Sequence, residues 1–324
     1  MFLDASLRSA PPSLPTVLTA CLCALATATC LYLAGCNRSQ TAIPSPAPSG
    51  TSSSTRSPAP GSSRTQHRTP TSPPSVASLV KHVTIIIMEN HGYGEIIGNA
   101  EAPYINSLAK SSALFTNSYA ISHPSEPNYL ALYSGSTQGL TGDDCPTNFP
   151  GPSLGGELIG AHKTIRGYME DLPSVGSTVC ANEDYARKHN PLADFSDTPT
   201  QSSVPYVQIS ADMASNAYPT VAFIAPNLRD DMHDGTIAMG DQWLAANVPA
   251  ILAFDATHKG LLILTWDEDD KRSGNQIATI AAGPMVIPGR YNQQINHYSV
   301  LRTVTNLFSL PVLNGAAPIN GVLR

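Results

Sequence analysis

The chain has 324 residues, 42% of them hydrophobic, which allows one large domain or two ordinary ones. Its net charge of −6 is uneven: five basic residues and one acid precede Val80, so the rest carries 13 basic and 23 acidic side chains, a net −10. Such an acidic body excludes a nucleic-acid binder, which needs basic surface against phosphate.

Residues 14–35, LPTVLTACLCALATATCLYLAG, are uncharged and apolar or small, with Arg8 ahead of them and Asp4 offsetting it. This is the layout of a secretory signal or a membrane span. The run ends in LAGC, Leu33 to Cys36, which resembles the bacterial lipoprotein signal, where cleavage leaves the cysteine as the lipid-carrying first residue. The expectation is a signal peptide with a lipobox over 1–35, lipid on Cys36, and an exported bacterial protein, held in the cell envelope or secreted. An ordinary secretory signal and an uncleaved anchor are the alternatives. Processing removes Cys21, Cys23 and Cys30, leaving Cys145 and Cys180 as an even pair in an oxidising compartment. A disulfide follows, with two buried thiols as the alternative. Residues 36–79 are rich in Ser, Thr and Pro; within them 37–78 hold eight prolines and no acid or aromatic residue. They cannot build a core and read as an extended, disordered tether.

From Val80 the texture changes. HVTIIIMEN (82–90), TVAFIAPN (220–227), GLLILTWDEDD (260–270) and IATIAAGP (277–284) contain near-continuous apolar runs, as buried strands of a parallel sheet do. PYINSLAKSS (103–112), DQWLAANVPAILAFD (241–255, with Pro249 as a kink or break) and HYSVLRTVTNLFSL (297–310) read as helices. Ser125-Glu126-Pro127 reads as a helix start, with Leu130, Leu132 and Tyr133 as its apolar face. Alternating strands and helices predict a three-layer α/β/α sandwich on a mostly parallel sheet over 80–324.

Ligands of such sheets bind beyond the carboxyl ends of the strands. The first strand ends in Glu89-Asn90-His91, the third runs into Asp267-Glu268-Asp269-Asp270, and the second precedes DDMHDG, Asp230 to Gly235. Oxygen ligands from separate strand ends suit one divalent cation, with Mg²⁺, Ca²⁺ or Mn²⁺ favoured over Zn²⁺. GPSLG, Gly151 to Gly155, matches the G-x-S-x-G pattern of a hydrolase elbow, but CPTNFP precedes it where a strand is required, so Ser153 is not expected to be a nucleophile. Lys188 and His189 read as a surface pair.

Several blocks together resemble the phosphoesterase family of the alkaline phosphatase-like superfamily, and most closely its mycobacterial-type secreted acid phosphatases. They are MEN at 88–90, IIGN at 96–99, HPSEPNYLAL at 123–132, DLPSVGSTVC at 171–180, YARKHNP at 185–191, DMHDG at 231–235, GDQWL at 240–244, TWDEDD at 265–270 and HYSVLRT at 297–303. The resemblance implies an alkaline phosphatase-like fold and Ser125 as a nucleophile that becomes phosphoserine. It implies metal ligands at Glu89, Asn90, Ser125, Asp267 and Glu268, a phosphoryl-oxygen donor at Asn128, and active-site histidines at His123, His233 and His297. Two-zinc relatives carry Asp-His where this chain has Asp267-Glu268, which favours a single ion. The implied activity is that of a metal-dependent acid phosphatase on small phosphomonoesters or phospholipid headgroups, phosphoinositides among them. A phospholipase C or other phosphodiesterase is the alternative enzyme, and a phospho-ligand-binding lipoprotein the alternative without catalysis.

Overall fold

A computed structural model describes residues 79–324. The expected signal, the lipidation site at Cys36 and all but the last residue of the tether lie outside the described residues. In chain order the elements are β1 His82–Met88, α1 Tyr93–Ile96, α2 Pro103–Ser111, β2 Ala113–Phe115, β3 Ser118–Tyr119, α3 Ser125–Ser134, α4 Leu154–Gly160, β4 Ile165–Met169, β5 Ala181–Asn182 and β6 Tyr185–Ala186. After a 3₁₀ turn at Arg187–His189 come β7 Ser203–Pro205, α5 Ile209–Ala214, β8 Val221–Ala225, α6 Ile237–His258, β9 Gly260–Trp266, β10 Thr279–Ala282, β11 Gly289–Tyr291, β12 Ile295–Asn296 and α7 His297–Leu307.

Eight strands form one sheet in the order β11-β2-β10-β9-β1-β8-β4-β7. Every neighbouring pair is parallel except those of β10, which runs against both β9 and β2. At the centre, Ile85 of β1 lies opposite Phe223 of β8 and Ile263 of β9. Because side chains alternate along a strand, Val83, Ile85 and Ile87 enter one core with Leu130 of α3 and Val300 and Val304 of α7. Ile86 and Met88 enter the other with Ile105 and Leu108 of α2 and Leu244 and Val248 of α6. Burial on both faces is why β1 and β9 read as unbroken apolar runs. The architecture is the α/β/α sandwich that the alternation predicts.

Three local outcomes differ from the sequence reading. The run at 277–284 is a strand, β10, but an antiparallel one. Helix α6 passes through Pro249 unbroken, because Trp243, Leu244, Val248 and Ile251 bury it against the sheet on both sides of that residue. Strand β4, IRGYM, has no apolar run to announce it: Arg166 is accommodated by an ion pair with Asp212, whose carboxylate also accepts the Tyr168 hydroxyl at 2.7 Å. Cys145 and Cys180 form the expected disulfide.

The topology brings the chemistry together. Adjacent parallel strands β8, β1 and β9 all end at one edge. The Glu89 N–H donates to the Asp231 carbonyl at 2.8 Å, and the Asp267 N–H donates to the Met88 carbonyl at 2.9 Å. The backbone thereby fixes three acids that are far apart in sequence.

Candidate active site

Helix α3 begins at Ser125, after Pro124 and with Pro127 in its first turn, as its sequence predicts. The expected apolar face is an understatement: all ten residues are buried. A helix enclosed on every side must pair its polar side chains, since an unpaired buried hydroxyl or amide is costly. Ser125 Oγ donates to Glu89 Oε2 at 2.9 Å, and Tyr129, one turn on, donates its hydroxyl to Glu89 Oε1 at 2.7 Å. Glu126 accepts from the Asp144 N–H at 2.5 Å and from Thr147 at 3.2 Å, and burial first of all pushes it up to about 7.

Asn128 departs from its expected role. Its oxygen accepts the N–H groups of Ile121 and Ser122 at 2.9 and 3.0 Å, while its amide donates to the carbonyls of Ser122 and Pro124 at 3.0 and 3.2 Å. Each hydrogen-bonding position is used on the loop before Ser125, so Asn128 shapes that loop and has no donor left for a phosphoryl oxygen.

Asp267 and Glu268 leave β9 into the same space. The Ser125 hydroxyl is directed to Glu89, and neither oxygen of the buried Asp267 has a hydrogen-bond partner among the described residues. Burial, then repulsion from Glu89 and Glu268, holds the Asp267 carboxyl well above the usual carboxylate range. Burial and Glu89 likewise push Glu268 up to about 8. Buried acids facing one another with unused oxygens are what a hard cation resolves. Glu89, Asn90, Ser125, Asp267 and Glu268 offer it oxygen atoms, so the residues present fit the group.

His123 sits between acids: Nδ1 is 2.7 Å from Glu268 Oε2 and Nε2 is 3.2 Å from Asp269 Oδ1. His297 opens α7. Its ring is buried, its Nε2 lies 2.6 Å from the Asp267 carbonyl oxygen, and burial lowers it to about 4. It therefore donates as a neutral ring and braces the end of β9, while its buried Nδ1 has no hydrogen-bond partner among the described residues. His233 is the histidine that reaches the open cavity of about 360 Å³, together with Asn90, Ser125, Asp143, Lys188, Glu268 and Lys271. Asp234 Oδ1 lies 2.7 Å from its Nδ1, and Lys188 Nζ lies 3.2 Å from its Nε2.

The pair read as bland surface, Lys188 and His189, belongs to the site. Lys188 lines the cavity and donates to Asp143 Oδ2 at 3.0 Å. His189 is buried, with Nε2 at 3.1 Å from Glu89 Oε1 and Nδ1 at 3.2 Å from Asp231 Oδ2. Burial lowers it to about 4, which keeps it neutral. Glu89, His189 and Asp231 form a second cluster able to hold a cation. Asp231 is signalled by its place after an apolar strand and by the DMHDG block, whereas His189 is signalled only by the YARKHNP block, since a 3₁₀ turn has no periodicity. Ser153 caps α4, accepting the Gly156 N–H at 3.1 Å and donating to Asp197 Oδ1 at 2.7 Å. That is a structural role, as the missing strand before it predicts.

Comparison with known proteins agrees with this geometry. Residues 99–311 match the sequence model of the phosphoesterase family. A phosphatidylinositol-3-phosphatase of Mycobacterium tuberculosis is 49% identical over 231 residues, covering 71% of this chain and 77% of its own length. An acid phosphatase of Aspergillus fumigatus is 33% identical over 226 residues, covering 64% of this chain and 50% of its own length, so the chain spans about half of that relative. Among solved structures, the lipoteichoic acid synthase LtaP from Listeria monocytogenes aligns with a TM-score of 0.54 at 8% identity, over 72% of this chain and 74% of that one. A protein in the alkaline phosphatase superfamily from Vibrio parahaemolyticus aligns with a TM-score of 0.50 at 12% identity, over 72% and 69%. At such identities the structural likeness is one of fold. The chain belongs to the phosphoesterase family, as an enzyme of phosphoester hydrolysis on an alkaline phosphatase-like fold.

Proposed function

We propose that this protein is an exported, metal-dependent acid phosphatase that hydrolyses phosphomonoesters through a phosphoserine on Ser125, with phosphoinositides among its substrates. The observation that carries the reading is the Ser125 hydroxyl aimed at Glu89 Oε2 at 2.9 Å, at the mouth of a buried carboxylate cluster. The phosphoinositide clause is supported by the 49% identical mycobacterial relative. Export and the lipid anchor at Cys36 are supported by the apolar run and its LAGC end.

A divalent ion held by Glu89, Asn90, Ser125, Asp267 and Glu268 would supply positive charge that lowers the proton affinity of the serine and offsets that of the phosphoryl oxygens. The all-oxygen donor set favours one Mg²⁺, Ca²⁺ or Mn²⁺ over Zn²⁺. The chain does the rest. Glu89 orients Ser125 Oγ and takes its hydroxyl proton as Oγ attacks phosphorus and the bond to the ester oxygen breaks, a proton it returns when the phosphoserine is opened. Lys188, on the cavity wall, sets fixed positive charge beside the transferring group. His233, oriented through Nδ1 by Asp234, gives the departing alkoxide its proton from Nε2 once Lys188 Nζ, which lies 3.2 Å from that nitrogen, turns to the phosphoryl oxygens. Water then opens the phosphoserine, releasing inorganic phosphate and restoring the hydroxyl. A leaving-group acid that must carry a proton to act gives the reaction an acidic optimum.

Purified protein offered p-nitrophenyl phosphate, its bis ester and phosphatidylinositol 3-phosphate tests this. Monoester turnover that exceeds diester turnover supports the reading; a preference for the diester overturns it in favour of a phosphodiesterase.

A further inference from the structure

The two oxygens of Glu89 face different groups. Oε2 accepts the Ser125 hydroxyl at 2.9 Å and Oε1 accepts the Tyr129 hydroxyl at 2.7 Å. Ser125 and Tyr129 are four residues apart on α3, so one helical turn presents both hydroxyls to one carboxylate. His189 Nε2 also approaches Oε1, at 3.1 Å, but outside hydrogen-bonding direction. Tyr129 is therefore the directed donor on that oxygen. Its ring is fixed in turn, stacked on the His189 ring at 4.9 Å between centroids and 11° between planes. All three side chains are buried.

The terminal torsion of a glutamate is broad, with no sharp staggered minima, so a carboxylate keeps one rotation only when its partners impose it. We propose that Tyr129 is a positioning residue for phosphoryl transfer: its hydroxyl sets the rotation of Glu89 and thereby keeps Oε2 for Ser125 and the bound cation. This rests on the reading of Ser125 as the nucleophile. A purely structural Tyr129 would need only some acceptor for its hydroxyl, and its loss would lower stability without touching turnover.

Tyr129→Phe keeps the ring and its stacking and removes one O–H. Tyr133→Phe is the matched control, because Tyr133 is a buried tyrosine one turn further along α3 whose hydroxyl meets Thr198 at 2.9 Å and not Glu89. Both variants, in the full chain, are assayed on p-nitrophenyl phosphate with titrated Mg²⁺ or Mn²⁺, and Tm is recorded on the same samples. The expected result is a Tm loss in both and a kcat loss of ~10-fold or more in Tyr129→Phe alone. Its KM stays within about twofold of wild type while the ion concentration for half-activation rises. Wild-type kcat and half-activation in Tyr129→Phe overturn the proposal, as does an equal kcat loss in both variants or a Tyr129→Phe chain that does not fold while the control does. Turnover retained by Ser125→Ala would instead refute the nucleophile, whichever way the tyrosines behave.

Discussion

The hydroxyl of Ser125 meets Oε2 of Glu89 across 2.9 Å, joining the first residue of α3 to the residue that follows β1. This contact ties a helix start to a strand end that is 36 residues away in the chain. It also puts a hydroxyl against a buried carboxylate beside the open cavity. Under the proposed mechanism the serine proton leaves only when positive charge is near, so the proposed nucleophile and the proposed cation stand or fall together.

Asp267 has two buried oxygens without partners among the described residues and directly follows β9, the strand beside β1. Asp267→Asn is expected to weaken ion binding and to lower turnover by ~100-fold or more at limiting Mg²⁺ or Mn²⁺, with partial recovery as the ion is raised. Activity against ion concentration checks it. A variant with a wild-type half-activation point would remove Asp267 from the ligand set.

His233 reaches the cavity and His297 does not, so they separate under a change of leaving group. His233→Asn is expected to cost ~100-fold or more on an alkyl phosphate, whose alkoxide needs a proton, and much less on p-nitrophenyl phosphate, whose phenolate leaves unaided. His297→Asn is expected to change stability and leave the dependence on leaving-group pKa as in wild type. A series of phosphate esters run through both variants measures the slopes; a steeper slope for His297→Asn would reverse the assignment.

What the sequence disclosed follows from burial. Strands β1, β8 and β9 are covered on both faces and so announce themselves as apolar runs, and the acids after β1 and β9 are found by reading on. β4 is hidden because Arg166 and Gly167 interrupt it; Arg166 is tolerated by Asp212, and a Cβ at 167 would lie 2.6 Å from the tip of Met169 and 3.1 Å from Leu192. His189 was missed because one 3₁₀ turn has no periodicity to say which side is buried. The resemblance implies roles toward substrate for Asn128 and His297, and a motif does not say which way a side chain points: one turns back on its own loop and the other sets Nε2 against the Asp267 carbonyl.

Asp255 offers a test away from the catalytic groups. It lies near the end of α6, fully buried against Gly260, with no hydrogen-bond partner for either oxygen among the described residues. Burial pushes it up to about 7. Between about pH 4, where an unfolded aspartate titrates, and about pH 7, the folded chain holds a proton that the unfolded chain has lost. Stability from this group is therefore full at low pH and falls as pH rises through that window. Asp255→Asn cannot lose the proton, so its Tm is expected to gain on wild type as pH rises and to hold that gain above pH 7, by several degrees at roughly 2–4 °C per kcal/mol. Melting curves from about pH 4 to about pH 8 check it; parallel curves would mean that Asp255 titrates as a free acid.

The central claim is that phosphorus passes through Ser125. Wild-type protein mixed with p-nitrophenyl phosphate and quenched in acid within a turnover is digested and its peptides are weighed. The account predicts one phosphoryl group on the peptide that contains Ser125, none on the peptide that contains Ser153, no labelled peptide in Ser125→Ala, and turnover lost in Ser125→Ala but kept in Ser153→Ala. Undiminished turnover by Ser125→Ala, or label on any other residue, would contradict it.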